Sequence, residues 1–314
     1  MDERGSRGGT AAGILCLAGL FYIRGGLYET GRDAWLCAPA AAVLVSSAAV
    51  WLGARLRRGT GDPLALPALP RWAARAVTAA ALAAAAAFAV READAFTQFL
   101  SSNILADTPP LFTAAALLFS AVLPVRAGRR ALGSWCRLVF VLAAIPALTL
   151  LVFSASRFDL SHLRPVLASP QGFLIGTLRL AAAWLWMLVL LMSLFSGDTR
   201  RFPMLPAILA AGGFMSALFA ANTLVLSAPV TGTIRYITYY AASVIGIGDF
   251  FQHVEILSAF VFQCAALVRL SVVLRFLCLC LKSLLSLSDA RRAAAPAAAG
   301  VFFLYSLMLL LRRV

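Results

Sequence analysis

Long apolar runs alternate with short polar breaks from one end of this chain to the other. The apolar runs fall near residues 10–28, 34–54, 72–98, 111–125, 136–155, 173–196, 203–228, 251–281 and 294–311. A helix rises about 1.5 Å per residue and the hydrocarbon layer of a bilayer is about 30 Å thick, so about 20 apolar residues cross it. By that rule the pattern predicts about nine membrane-spanning helices, the fourth and ninth rather short. Turn-forming and charged residues punctuate them: Thr60-Gly61-Asp62-Pro63, Asp107-Thr108-Pro109-Pro110, Ser196-Gly197-Asp198 and Ser288-Asp289. No stretch reads as a soluble domain, so residues 1–314 are expected to form a single transmembrane domain, an all-α polytopic bundle. Gly13–Ile23 is followed at once by further membrane segments and therefore reads as the first span rather than a cleaved leader.

Composition agrees. The chain is 62% hydrophobic and 13% charged, against about 25% charged in a soluble globular domain, which excludes that class. The formal net charge of +14 does not point to nucleic acid, because the basic residues lie between apolar runs instead of along one face. The surroundings these segments call for are membrane lipids. All six cysteines lie inside or beside apolar segments, and none shows the paired spacing of a zinc or redox site. Only two histidines are present, His162 and His253. With no zinc-type His pair, phosphate loop or serine elbow, neither an enzyme nor a cofactor is expected.

Arginines set the expected topology. Arg4, Arg7, Arg55, Arg57, Arg58, Arg71, Arg75, Arg126, Arg129, Arg130, Arg200, Arg201, Arg291 and Arg292 fall on one side. The other side holds fewer, several of them beside an acid. The positive-inside rule then places the N-terminus in the cytoplasm. Nine spans leave the C-terminus outside, with Arg312 and Arg313 on the arginine-poor side, a conflict that one further helix would remove.

Several segments, in order, carry a family resemblance. They are Gly31-Arg32-Asp33-Ala34-Trp35; Val90-Arg91-Glu92 followed by Asp107-Thr108-Pro109; Phe158-Asp159-Leu160-Ser161-His162-Leu163 with Pro165-Val166-Leu167; and Arg235-Tyr236-Ile237 through Ile247-Gly248-Asp249-Phe250 to Glu255-Ile256-Leu257. With these the chain resembles the spore-germination permease family, the B subunits of germinant receptors, within the amino acid–polyamine–organocation transporter superfamily. The resemblance implies a leucine-transporter-like fold of two inverted five-helix repeats, in which the first and sixth helices break in mid-membrane and line a small-solute site. It also implies an amino acid permease-like subunit of the inner spore membrane that binds a small nutrient and acts with receptor A and C subunits during germination. A working secondary transporter of amino acids or similar solutes is the alternative. The chain departs from the pattern in two places. Ala181 to Leu188 reads as unbroken helix where the sixth helix should break, and the first helix keeps Gly19, Gly25 and Gly26 but lacks the family's proline. Nine spans against the family's ten imply that a tenth helix is missing.

Candidate site residues are the polar intrusions. Glu255 is expected one turn inside the eighth span, lining a site or else reaching headgroup water. Asp249 and His253 are four apart and can hydrogen-bond, or merely cap the helix. His253 and Glu255, two apart on one helix, should diverge. Arg91, Glu92 and Asp94 cluster at the outer end of the third span, where Arg91 and Asp94 can neutralise each other or form an outer gate. Arg179 either snorkels to the interface or faces the bundle toward a carboxylate. Trp184 is expected near mid-membrane, as packing or as a stacking surface. Arg269, Arg275 and Lys282 are expected to snorkel at the cytoplasmic end. Tyr236, Tyr239 and Tyr240 mark either an interfacial belt or a short helix over the outer mouth of the bundle.

Overall fold

The structure, a computed structural model, describes residues 3–22, 32–58, 70–167, 169–192, 204–245, 253–287 and 289–312. The long helices are α1 (Glu3–Gly19), α2 (Ala34–Arg58), α3 (Arg71–Asn103), α4 (Pro110–Ala127), α5 (Arg129–Ser154), α6 (Pro170–Met192) and α7 (Met204–Leu226). Two short ones follow, α8 (Ala228–Thr231) and α9 (Ile237–Ser243), before α10 (Glu255–Leu285) and α11 (Ala294–Leu311). Among the described residues eight helices, α2 to α7, α10 and α11, are long and apolar enough to cross a membrane, and α1 contributes a shorter apolar stretch, Gly8–Gly19. The chain is an all-α polytopic membrane protein.

Sequence chemistry explains the boundaries. α4 opens on Pro110 after Pro109, where a missing N–H costs no intrahelical bond. One residue, Gly128, joins α4 to α5 at φ 102°, a backbone state that side chains disfavour. A Cβ there would also meet the Arg291 guanidinium at 2.8 Å. Asp159 caps the short 3-10 turn Leu160–Leu163 by accepting from the Ser161 backbone N–H at 2.9 Å. The Ser161 side-chain and backbone hydrogen bonds hold the Asp159 carboxyl below its usual range.

Two groups of helices result. α1, α2, α6 and α7 pack together, and so do α3, α4, α10 and α11, with α5 joining both through α1 and α10. Each group takes two helices from either half of the chain. Four long helices lie between α1 and α6, and four between α3 and α10. Close approach depends on small residues: at Gly212 of α7 an added Cβ would lie 2.7 Å from that of Ala42 on α2.

The sequence expectations need three adjustments here. The first apolar run, 10–28, is not one helix, because α1 ends at Gly19 and Leu20–Tyr22 form a turn. The third span runs on to Asn103, so Glu92 lies eleven residues inside its end and not at the outer rim. α10 begins at Glu255 itself, which therefore opens the helix and is not one turn within it. α6 is continuous from Pro170 to Met192, as Ala181–Leu188 suggested. The tyrosine-rich loop forms the short helix α9, which packs against α5, α7 and α10 with Ile237, Thr238, Ala241 and Ala242 buried.

Candidate functional site

The end of α1 lies inside the protein, and that placement organises its surroundings. The last four carbonyls of a helix have no intrahelical partner and must be satisfied from elsewhere. The indole N–H of Trp184, on α6, donates to the Leu17 carbonyl at 3.0 Å. Past the helix end, the Thr238 hydroxyl of α9 donates to the Tyr22 carbonyl, and the Asn222 amide of α7 donates to the Thr238 hydroxyl at 3.0 Å. Trp184 is fully buried. Its role is thus partly packing and partly to satisfy a carbonyl at the end of α1.

On the opposite flank of α1 stands Arg269. The residue is 1% exposed, and its guanidinium pairs with the Glu92 carboxylate, Nε to Oε2 at 2.8 Å and Nη2 to Oε2 at 2.8 Å. Arg269 is the fifteenth of the 31 residues of α10, so the pair lies near mid-depth. An isolated charge at that depth is expensive, and a partner this close is the arrangement that makes it tolerable. Arg269 therefore does not snorkel, because a carboxylate meets it in the bundle core. Its third nitrogen, Nη1, has no hydrogen-bond partner and lies against Gly19, where a side chain would collide with it and with the Ala265 methyl. Gly19 is the position at which α1, α3 and α10 come together through one guanidinium.

Beside that junction is a cavity of about 210 Å³ between α1, α5, α7 and α10. Its walls are almost entirely apolar, and include Gly19, Tyr22, Ala143, Ala147, Phe214 and Ala265. Pro146 lies between the two α5 alanines and removes one helical N–H there. The Tyr22 ring stacks parallel to Phe214 at 6.4 Å. The Tyr22 hydroxyl is buried beside the Ser258 hydroxyl, and the two have no other hydrogen-bond partner. The wall reaches the bundle surface at Leu148, which is 58% exposed. On the α9 side an aromatic cluster covers the Arg269 region: Phe99 meets Tyr236, Tyr239 and Phe262 edge to face at 5.2, 5.5 and 5.1 Å.

Of the residues singled out in the sequence, the structure brings together Gly19, Glu92 and Trp184 around the end of α1. Gly25 and Gly26 lie outside the described residues, as does Asp249. Arg179 is exposed on α6 and does not face the bundle interior. Glu255, with its side chain 14% exposed, accepts from His253 Nδ1 at 2.9 Å. The expected divergence of these two fails because His253 precedes the helix and its side chain is not bound by helical spacing. The unpaired Glu255 Oε2 is buried. Asp94 receives both Arg312 nitrogens at 2.9 and 3.1 Å and the Gln98 amide at 2.9 Å. Arg269, Tyr22 and Ser258 were missed as site residues. Their signal is modest: one arginine in mid-run, and hydroxyls in otherwise apolar stretches. A second juncture was also unforeseen, for buried Asp33 accepts from the Leu167 backbone N–H at 2.7 Å. It holds Leu167 at φ 57° and ties two of the family-like segments together. Among the described residues no cluster of three His, Cys, Asp or Glu side chains could hold a metal ion.

A family model described as a spore germination protein, of the spore permease type, matches residues 80–311. No curated protein matches the chain.

Proposed function

The chain belongs to the spore germination permease family, and from that premise we propose that it is the membrane subunit of a nutrient germinant receptor. It binds a small nutrient, such as an amino acid, in the cavity beside the interrupted first helix and passes the signal to receptor A and C subunits in the inner spore membrane. Its N-terminus faces the cytoplasm. The observation that carries this reading is the cavity of about 210 Å³ against Gly19 and Tyr22. A single water needs only about 10–15 Å³ measured in this way, so the space suits a small solute. Apolar walls would take an aliphatic body, and the buried Tyr22 hydroxyl, backed by Ser258, would take a polar end. A cavity with mostly apolar lining and few convergent polar groups is the usual form of a small-molecule site.

Sensing is favoured over transport by α6, which runs unbroken. Alternating-access transporters of the implied fold use a discontinuous helix at that place. Two experiments test the reading. Spores lacking this chain should fail to respond to at least one nutrient, and normal germination with every nutrient would refute it. Nutrient-dependent uptake by the purified chain in vesicles would move the assignment to a secondary transporter.

A further inference from the structure

The corner between α4 and α5 gathers positive charge with little acid to match it. Its single connecting residue, Gly128, is buried. The Arg291 guanidinium lies against it, with Nη2 and Cζ at 2.8 and 2.9 Å from where a Cβ would stand. Arg291 belongs to the 3-10 turn Ala290–Ala293, which packs on α4, α10 and α11. From α10, Arg275 comes near enough to Arg129 and Arg291 for both to repel it, and its Nε is buried without a hydrogen-bond partner. Arg126 and Arg292 are exposed beside these three. Residues 110–154, which hold α4 and α5, contain no acid, and residues 256–314 contain only Asp289. Asp289 already accepts from the Arg291 backbone N–H at 3.0 Å, capping the turn.

Guanidiniums cannot shed their charge, so crowding them where water is scarce calls for an anion. Their planar fork matches the oxygens of a phosphate. This corner is the turn between two membrane spans, and Phe119, Leu123 and Arg126 follow one another at helical spacing along α4 up to it, all exposed. Phe119 and Leu123 are 67% and 53% exposed. Apolar side chains leading to a basic group suit a ligand that is hydrocarbon at one end and anionic at the other. Basic pockets between membrane helices bind anionic headgroups in this way. We propose that the corner is a seat for the phosphate of an anionic phospholipid, held by Arg275 and Arg291, with an acyl chain along Phe119 and Leu123. The lipid ties the α4–α5 corner to α10 and to the turn before α11. It has no part in the nutrient cavity, and the two sites stand or fall separately.

The test is the melting temperature of the purified full chain in detergent micelles at equal ionic strength. The micelles carry phosphatidylglycerol, phosphatidylcholine, or phosphatidylcholine with added inorganic phosphate. Wild type should melt higher in phosphatidylglycerol than in either of the others. Arg291→Gln and Arg275→Gln should each need roughly tenfold more phosphatidylglycerol, or beyond, for the same shift, because a hydrogen bond to a charged group is lost. Arg291 is exposed, so its variant keeps the test sound if Arg275→Gln fails to fold. Arg157→Gln removes an exposed positive charge from the distant turn Ala155–Arg157 and should respond as wild type does. No shift of wild type by phosphatidylglycerol would overturn the proposal. So would an unchanged response in Arg291→Gln, or an equal loss in Arg157→Gln, which would reduce the effect to net charge. Inorganic phosphate reproducing the shift would overturn the lipid assignment by making a free anion the occupant.

Discussion

Glu92 and Asp94 stand two residues apart on α3, and each holds an arginine from a distant helix. Two residues on a helix point about 200° apart, so the neighbours face different environments. Glu92 and Arg269 have side chains only 6% and 2% exposed, whereas Asp94 and Arg312 are 15% and 52% exposed. The outer pair is the better made by geometry, with two parallel nitrogens on two carboxylate oxygens. The inner pair converges on one oxygen and leaves a nitrogen unpartnered. The outer pair neutralises an arginine just past the end of α11. The inner pair joins three helices beside a cavity. Burial, not bond geometry, separates them.

The largest expected effect breaks the inner pair. Glu92→Gln leaves the Arg269 charge buried and unmatched, and should cost about 3–5 kcal/mol, read as a large fall in melting temperature of the purified chain. Glu92→Met with Arg269→Met should recover most of that loss, because well-packed apolar replacements of buried pairs are often neutral. If the double variant is as unstable as the single one, the pair is not the cause. Next comes Gly19→Ala, which forces the guanidinium and Ala265 to move and should cost about 1–3 kcal/mol. A neutral result would mean that α1 and α10 yield at this point. The smallest effect belongs to the outer pair. Asp94→Asn should cost less than about 1 kcal/mol, and the difference from wild type should shrink further in high salt. An Asp94→Asn loss equal to that of Glu92→Gln would erase the contrast between the two.

Much of the fold was legible in the apolar pattern. The spans, the continuous α6 at Ala181–Leu188 and the short helix in the tyrosine-rich loop follow from run length and from the absence or presence of breakers. The site was less legible. A lone arginine in an apolar run looks the same whether it snorkels or pairs, and Glu92 lies 177 residues from Arg269 in sequence. Asp94 offered a local partner three residues away, while spacing gave no sign of Arg312, 218 residues off. Local spacing rules rank only the partners they can see. Gly19 stood out in the sequence, but its position against Arg269 did not, since only tertiary packing sets a glycine against a guanidinium. The His253–Glu255 contact was misjudged because its two residues straddle the start of a helix, where helical spacing does not apply.

The central claim is that the cavity beside the end of α1 receives a small nutrient. Ala147 is buried in its wall, and Ala147→Phe should fill it while leaving the Glu92–Arg269 pair untouched. The direct measurement is the shift in melting temperature of the purified chain across the amino acids, for wild type and Ala147→Phe together. The account predicts that at least one amino acid raises the wild-type midpoint and leaves a folded Ala147→Phe unmoved. Equal shifts in both proteins, or no shift with any amino acid in wild type, would contradict it.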